Sequence, residues 1–214
     1  MTSLHDIFRQ MHIHLLNDEQ PSLYFNEISK TRLFEQYPLN LLNNLKNAQQ
    51  SPKHHPEGNV WVHTMMVVDE AAKVKNESNS RKAFMWAALL HDIGKPDATK
   101  NRNGKITSYD HDKIGANLAR KFLMEFSDDE EFIRKVTILV RWHMQILFVV
   151  NNLPFADVKT MKRQANVTEV ALLGLCDRMG RLNADRRKEE ANIKAFLEKM
   201  GTASNGESRV LLKV

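Results

Sequence analysis

The longest apolar run of the chain constrains its fold most strongly. Residues 83–90 contain only Ala, Phe, Met, Trp and Leu, and His91 and Asp92 follow with no polar residue between. The run is too short to span a membrane, which needs about 20 apolar residues, and it predicts a buried helix. The helix is predicted to run to Asp92, with Gly94 as its C-terminal stop and Pro96 reinforcing that stop. The fold must therefore surround this helix and also satisfy an imidazole and a carboxylate at its end.

Helical periodicity dominates the rest of the chain and predicts one all-α domain over residues 1–214. Residues 1–50 are expected to form a helical lead-in. Residues 201–214 are expected to form a loose tail, in which Val210–Leu212 could dock on the domain. The turn KNRNGK at 100–105 is expected to join at most two short extended pieces. The predicted helices and their caps are Val60–Lys75 capped by Asn59, the apolar helix capped by Asn79 or Ser80, about 112–126, a helix from Ser127 or Asp128 to His143, about 155–163, a helix capped by Thr168 that carries Asp177, and about 185–200.

Composition is typical of a globular protein in a reducing compartment. Of the 214 residues, 42% are hydrophobic and 27% are charged. The N-terminal stretch MTSLHDIFRQMHIHLL carries charges through its apolar positions, unlike a signal peptide, so a cytoplasmic location is expected. Cys176 is the single cysteine and is interpreted as a small core residue. The net charge of +5 favours anionic partners such as phosphates or nucleic acid, and a lysine-rich solvated surface explains it equally well.

Several polar side chains fall on apolar helix faces or at helix ends: His63, His91, Asp92, His143 and Asp177. A buried carboxylate without a partner is costly, and a divalent metal held between helices would satisfy these groups together. Neutral imidazole and ionised carboxylate are ligands of zinc, iron, manganese, cobalt and nickel.

Each of these residues also has a simpler interpretation. A single buried histidine is more often a hydrogen-bonded core residue than a ligand, and Asp177 could pair with Arg178 or Arg181. His54 and His55 are interpreted as turn residues. The ordered set H…HD…D argues for a metal site because chance rarely places all its members on helix faces or ends. No role is assigned to the remaining histidines, which are taken to lack a partner carboxylate at helical spacing: His5, His12 and His14.

The set His63, His91-Asp92 and Asp177 resembles the HD superfamily of metal-dependent phosphohydrolases. Flanking stretches resemble, in the same order, the C-terminal HD domain of bacterial CCA-adding tRNA nucleotidyltransferases: HPEGNVWVHTMMVVDEAA (55–72), AALLHDIGKP (87–96), YDHDKIGA (109–116), VRWHM (140–144) and LCDRMGR (175–181). The resemblance covers roughly residues 30–185 and implies an HD-type helical bundle, with its core at about 55–185 and the metal site between helices. Residues 1–50 lack the glycine-rich stretch and aspartate pair of a nucleotidyltransferase head, so an HD module without that head is expected.

The resemblance also implies a ligand set and one or two divalent ions, of Mn, Fe, Co, Ni or Zn, with Mg as a further candidate. The first ion is assigned to His63, His91, Asp92 and Asp177, and a possible second ion to Asp92 with His111 and His143. Catalysis is assigned to Asp92, Lys95, His111 and His143. The substrate phosphate is assigned to Lys95, Arg141 and Arg181. One departure concerns the second set, because these relatives usually have Gly-His-Glu where this chain has Asp110-His111-Asp112.

The implied activity is hydrolysis of nucleotide phosphoesters by a metal-activated water, as a 2′,3′-cyclic phosphodiesterase, a nucleotidase or phosphatase, or both. Other HD nucleotidases, such as a 5′-monophosphatase or a nucleotide triphosphohydrolase, share the same metal set. A different class of function is an accessory module that binds RNA and carries a structural metal. A nucleotide or other phosphoester substrate is expected, RNA remains a candidate partner, a membrane is not expected, and the oligomeric state is open.

Overall fold

The computed structural model describes residues 3–202, which are almost entirely helical. The predicted docking of Val210–Leu212 and most of the predicted loose tail lie outside these residues. The α-helices are α1 Leu4–Asn17, α2 Ser22–Ile28, α3 Asn40–Asn43, α4 Val60–Val74, α5 Arg81–Leu90, α6 Lys95–Ala98, α7 His111–Met124, α8 Glu130–Trp142, α9 Gln145–Val150, α10 Val158–Gln164, α11 Val167–Met179 and α12 Arg186–Lys199. Short 3-10 helices cover Arg32–Glu35, Asn44–Asn47 and Lys75–Glu77, and two strands cover β1 Lys100–Arg102 and β2 Lys105–Thr107.

Helix α5 forms the centre of the molecule, as its apolar sequence predicts. Every side chain from Ala83 to Leu90 is buried. Helices α1, α4, α8 and α11 pack around it. Each large side chain buried in this way contributes about 1.5–3 kcal/mol of transfer free energy. The tightly packed helix therefore fixes the position of the His91-Asp92 turn that follows it.

A single hydrophobic core joins the N-terminal helices to the rest of the fold. Met11 of α1, Phe25 of α2 and Leu42 of α3 belong to the same buried cluster as Phe196 of α12. The predicted all-α, single-domain architecture is confirmed. The division into a lead-in and an HD core stays a prediction. Among residues 3–202, the structure contains no helix with the length and apolar character needed to cross a membrane.

The predicted start of α4 is confirmed and that of α8 is displaced. The side chain of Asn59 accepts a hydrogen bond at the first turn of α4. Helix α8 is capped by Asp129, whereas Ser127 or Asp128 was expected. The Ser127 hydroxyl instead accepts a hydrogen bond from the Asp129 amide. Consecutive Ser and Asp residues have similar capping preferences, so the sequence does not distinguish between them.

The start of α11 also differs from the prediction. Asn166 caps this helix and accepts a hydrogen bond from the amide of Thr168, the expected cap, which is the second residue of the helix. Helix α10 begins at Val158, three residues later than expected, and the short α9 is an additional helix. At the predicted turn, β1 and β2 pair antiparallel with Lys100 opposite Thr107, which confirms the two extended pieces.

Candidate metal centre

Asp92 lies at the centre of a buried polar site, and its two carboxylate oxygens face different side chains. Its Oδ2 lies 3.2 Å from His91 Nε2 and 3.9 Å from His63 Nε2. Its Oδ1 lies 3.4 Å from His111 Nε2 and 3.7 Å from His143 Nε2. We call His63, His91 and Asp92 the first half of the site and Asp92, His111 and His143 the second half. The carboxylate of Asp92 belongs to both halves.

Four different helices supply these side chains. His63 lies on the buried face of α4, while His91 and Asp92 lie in the turn that immediately follows α5. His111 is the first residue of α7, one residue before the predicted start of that helix. His143 is the C-terminal cap of α8. The site is thus formed where the ends of four helices meet, because His63 lies in the first turn of α4.

Backbone carbonyl groups fix the orientation of the imidazoles. His91, His111 and His143 each place Nδ1 against the carbonyl oxygen three residues earlier, at 2.8, 2.6 and 2.7 Å. A carbonyl oxygen only accepts hydrogen bonds, so each Nδ1 carries the proton and Nε2 is left with a lone pair. Because Nε2 of all three faces Asp92, these histidines have the tautomer and orientation that a metal ligand needs.

Two buried atoms of the first half lack a hydrogen-bond partner, namely His91 Nε2 and Asp92 Oδ2. Such unsatisfied buried atoms are rare in folded proteins and point to an ion or water. Ligand atoms that bind one zinc ion at about 2.1 Å lie roughly 3–3.4 Å apart. In each half, the three ligand atoms lie within 4.8 Å of one another. The residues present therefore fit a divalent ion in either half.

Burial and neighbouring polar groups together determine the charge of each side chain in the site. Burial alone would raise the pKa of Asp92, but its interactions with the neighbouring His91 and Lys95 hold it well below the usual range. Burial lowers the pKa of His143 to about 4, and it also lowers the pKa of His111. Burial acts in the same direction on His63, yet hydrogen bonds to carboxylates outweigh it and raise the pKa of that residue. At pH 7 the second half therefore contains neutral imidazoles beside one carboxylate.

Asp177 lies at the edge of the first half. The Oδ1 atom of Asp177 is 3.0 Å from His63 Nε2. Burial alone would raise the pKa of Asp177, but Arg181 and His63 outweigh burial and lower it. The guanidinium of Arg181 is 3.7 Å from the same oxygen. Arg178, the other expected partner of Asp177, instead forms an ion pair with Glu189 at 2.8 Å. The pairing of Asp177 with an arginine and its contact with the site are therefore both present.

The predicted phosphate-binding cations have different surroundings. Lys95 is buried, and its Nζ lies 2.6 Å from Asp92 Oδ2, without hydrogen-bond geometry, and 2.6 Å from Gln50 Oε1. Arg141 forms a very short ion pair with the buried Asp112 of α7. Lys95 thus belongs to the site itself, whereas Arg141 connects α7 and α8 beside the second half.

Glu57 was not among the predicted site residues and His55 was predicted to be a turn residue, but both lie against His63. Glu57 Oε1 is 3.0 Å from His63 Nδ1 and 2.8 Å from His55 Nδ1, and its side chain is 1% exposed. Burial would raise the pKa of Glu57, but hydrogen bonds from His63 and the backbone lower it to about 2. The carbonyl of Gly180 also faces His63 Nδ1, at 3.2 Å. The HPEG stretch before α4 was the available signal for this contact.

Two further histidines and the cysteine lie outside the site. His14 does have a carboxylate partner at helical spacing, because its Nδ1 lies 2.7 Å from Asp18, so that statement was wrong. His12 accepts a hydrogen bond from Trp86 Nε1 at 3.2 Å. Cys176 is buried, and burial raises the pKa of its thiol, as expected for a core residue.

Close backbone contacts set the distance between the His91-Asp92 turn and the start of α7. A Cβ atom on Gly94 would lie 2.2 Å from the carbonyl oxygen of His111 and 2.5 Å from the amide of Gly115. The turn after α5 can therefore approach α7 only without a side chain at this position. Asp110, just before α7, has φ of 58° in the left-handed region. Aspartate tolerates this conformation better than most residues, and its side chain forms an ion pair with Lys113 at 2.6 Å.

The fold and the site define a class of protein: an all-α domain whose central helix ends in a His-Asp pair that faces further histidines from neighbouring helices. Residues 60–181, more than half of the chain, match the family model described as the HD domain. The chain belongs to the HD domain family. This family is one of metal-dependent hydrolases, in agreement with the His and Asp clusters described above.

Curated relatives of the chain include proteins named multifunctional CCA protein. The protein of Methylococcus capsulatus is 26% identical over 190 residues, which cover 85% of this chain and 37% of the relative. That of Halorhodospira halophila is 37% identical over 105 residues, covering 47% and 23%. That of Haemophilus influenzae is 27% identical over 137 residues, covering 61% and 31%. The chain thus spans between about a quarter and two fifths of the length of these three relatives.

Proposed function

We propose that this protein is a metal-dependent phosphohydrolase that acts on nucleotide phosphoesters, as a 2′,3′-cyclic phosphodiesterase, a nucleotidase or both. The observation that carries the proposal is the shared carboxylate of Asp92, with two sets of oriented imidazoles on its two sides. A closed structural zinc site usually has four protein ligands and no open position. The second half has three ligands and leaves a position for water and substrate, and the first half, with Asp177 as a fourth ligand, leaves positions for an ion that takes five or six ligands. Membership of the HD domain family supports the hydrolytic reaction class.

In this proposal His63, His91, Asp92 and Asp177 hold a first divalent ion, of Mn, Fe, Co, Ni, Zn or Mg. His111, His143 and Asp92 would hold a second ion. A divalent ion bound in such a site would supply a water molecule with a pKa near neutrality and would polarise the phosphoryl group. The contribution of the protein is to orient these side chains and to exclude bulk water from them.

The second half is better suited to binding a metal than to donating a proton. A general acid must carry a proton at the working pH, whereas burial lowers the pKa of His143 to about 4 and that of His111 in the same direction. We therefore propose that both histidines are ligands of a second ion rather than acids.

The substrate phosphate is proposed to contact Lys95 and Arg181. Lys95 lies beside Asp92, so its ammonium is within reach of a phosphoryl oxygen held at the site. Arg181 Nε is buried and has no hydrogen-bond partner among the described residues, which leaves one donor free for an anion. A phosphate contact from Arg141 would require its pair with Asp112 to open.

Hydrolysis of 2′,3′-cyclic AMP beside 2′-, 3′- and 5′-AMP tests the proposal. The protein would be treated with chelator and assayed again after addition of Mg, Mn, Co, Ni or Zn. Metal-dependent turnover of at least one ester is expected, and the preferred ester distinguishes phosphodiesterase from nucleotidase activity. A folded, metal-containing protein that hydrolyses none of these esters, and no nucleoside triphosphate, would contradict the proposal.

A second candidate function is an RNA-binding module with a structural metal. The observations that favour it are the net charge of +5 and the similarity to part of the CCA proteins. Strong RNA binding that weakens steeply with salt, in a protein without any hydrolytic activity, would support this alternative.

A further inference from the structure

Two exposed aromatic rings and a third, half-buried ring form a cluster on segments that are connected to the second half of the site. Tyr109 is 64% exposed and Phe155 is 54% exposed, and their ring centroids lie 6.2 Å apart at an interplanar angle of 48°. Phe148 extends the cluster, with its centroid 5.5 Å from that of Phe155. Single exposed apolar residues are common in folded proteins. Contiguous exposed apolar groups more often mark a binding surface.

Tyr109 belongs to the turn that orients His111. The preceding residue, Ser108, accepts the Nδ1–H hydrogen bond of His111 at 2.6 Å, and its hydroxyl is 2.7 Å from that of Thr99. These bonds hold the turn on both sides of the tyrosine. Any ligand that contacts the Tyr109 ring is therefore close to the backbone that positions a residue of the second half.

Phe155 is held from the opposite side of the second half. Gln145 lies two residues after His143 and is buried. Its Oε1 accepts a hydrogen bond from the Asp157 amide at 2.9 Å, and its Nε2 lies 3.5 Å from the carbonyl oxygen of Phe155. The segments that carry the two rings are thus each connected to one histidine of the second half, and the rings meet between them.

We propose that Tyr109 and Phe155 form a stacking platform for the base of a nucleotide substrate. This inference rests on the proposed function and narrows its substrate class, because phosphoesters without a base would lack this contact. A nucleotide carries its base one ribose away from its phosphate, so a phosphate at Asp92 and Lys95 leaves the base near the rim of the site. Exposed aromatic rings bind any base through its π face, so the platform formed by Tyr109 and Phe155 would discriminate weakly between purines.

Two substrates and three variants test the platform. The substrates are 2′,3′-cyclic AMP and its counterpart without a base, methyl riboside 2′,3′-cyclic phosphate. The variants are Tyr109→Ala, Phe155→Ala and the control Tyr37→Ala. Tyr37 is 50% exposed and donates a hydrogen bond to Glu125, the C-terminal cap of α7, about 20 Å along that helix from His111. It is therefore an equally exposed aromatic residue far from the site.

Each platform variant is expected to raise KM for the nucleotide about tenfold, in line with measured base–aromatic stacking, and to change the reaction of the abasic ester less than twofold. Tyr37→Ala should leave both unchanged. Equal effects on the two substrates, or no effect on either, would overturn the platform. A concentration-dependent molecular mass that is lost in both platform variants would assign the rings to an interface between copies of this chain and would overturn it as well.

A binding measurement separates this proposal from the proposed function. Saturation-transfer NMR with AMP and with ribose 5-phosphate, in the presence of chelator, needs no catalysis. Transfer to the base protons of AMP in the wild type, and its loss in Tyr109→Ala and Phe155→Ala, would support the platform even if no ester is hydrolysed. Transfer of equal size in the wild type and in both variants would overturn the platform even if hydrolysis is confirmed.

Discussion

The two halves of the site share Asp92, but only the first half contains a histidine held between carboxylates. In the first half, His63 lies between the carboxylates of Glu57 and Asp177, which together raise its pKa. In the second half, His111 and His143 are oriented by backbone carbonyls, and burial lowers the pKa of both. The first half therefore combines negative charge with a readily protonated histidine, and the second half presents neutral imidazoles.

This difference indicates unequal affinities for a cation. Carboxylates around His63 add electrostatic attraction for a divalent ion, and a carboxylate that accepts the second ring N–H of a ligand histidine makes the histidine a stronger donor. The second half depends on Asp92 for its negative charge. We therefore expect the first half to bind its ion more tightly, and the second half to bind only while Asp92 is ionised.

Removal of the shared carboxylate should have the largest effect. Asp92→Asn keeps the size of the side chain but removes the charge common to both halves, so we expect loss of bound metal and a fall in hydrolysis of at least about a thousandfold. Metal analysis and phosphate release measure the two effects. Asp97→Asn is the matched control, because Asp97 is exposed on the adjacent α6. Retention of full turnover in Asp92→Asn would rule out this metal centre.

Separate removal of one histidine from each half should resolve the halves. His143→Ala is expected to remove the weaker ion and keep the tighter one, whereas His63→Ala should weaken the tighter ion. Equilibrium dialysis with Mn²⁺ or Co²⁺ gives the number of ions and their affinities, and the exposed His54 provides the control His54→Ala. The same stoichiometry in the wild type and in His143→Ala would show that the second half binds no ion.

Glu57→Gln should have an intermediate effect that is confined to the first half. The amide keeps a hydrogen-bond acceptor for His63 but loses the charge, so the affinity of the tighter ion should fall by about 10–100-fold, as for other residues that orient metal ligands. His55→Gln changes the other partner of Glu57 and should have a smaller effect. Isothermal titration of Mn²⁺ into both variants measures this, and an unchanged affinity in Glu57→Gln would refute the positioning role.

Proton release on metal binding should show the smallest but most specific difference. The pKa of His63 lies above its usual value of 6.5, so near neutral pH an ion entering the first half displaces a proton, and binding weakens as the pH falls. His143, with a pKa of about 4, is already deprotonated at pH 6–7. Calorimetry in buffers of different ionisation enthalpy should detect proton release when the metal binds to His143→Ala, which keeps the first half. Almost no proton release is expected when the metal binds to His63→Ala. Equal release would contradict the comparison.

Much of the fold follows from local sequence patterns. The apolar run at 83–90 predicts a central helix because only a central position buries all of its side chains. The Asn59 cap and the KNRNGK turn were predictable because each depends on hydrogen bonds between residues that are close in the sequence. The caps of α8 and α11 were displaced by one or two residues because several adjacent residues have similar capping ability. Local preference alone does not decide between such neighbours.

The composition of the site was predictable only in part. His63, His91, Asp92, His111 and His143 were identified as polar residues of helix faces and of motifs, and the structure brings them together. Their division between two oxygens of one carboxylate depends on tertiary packing. Glu57 was missed because it precedes its helix in an irregular segment, where no periodicity indicates which way a side chain points.

The contact between Gly94 and α7 has a consequence for how this centre can vary. Two backbone segments touch there directly, so the distance from the His91-Asp92 turn to His111 does not depend on flexible side chains that could adjust. Substitutions elsewhere in the core can change the stability of the protein while this distance stays constant. The spacing of Asp92 and His111, two of the ligands proposed for the second ion, is therefore a fixed dimension of this scaffold, and we expect adaptation to a new substrate to come from the rim.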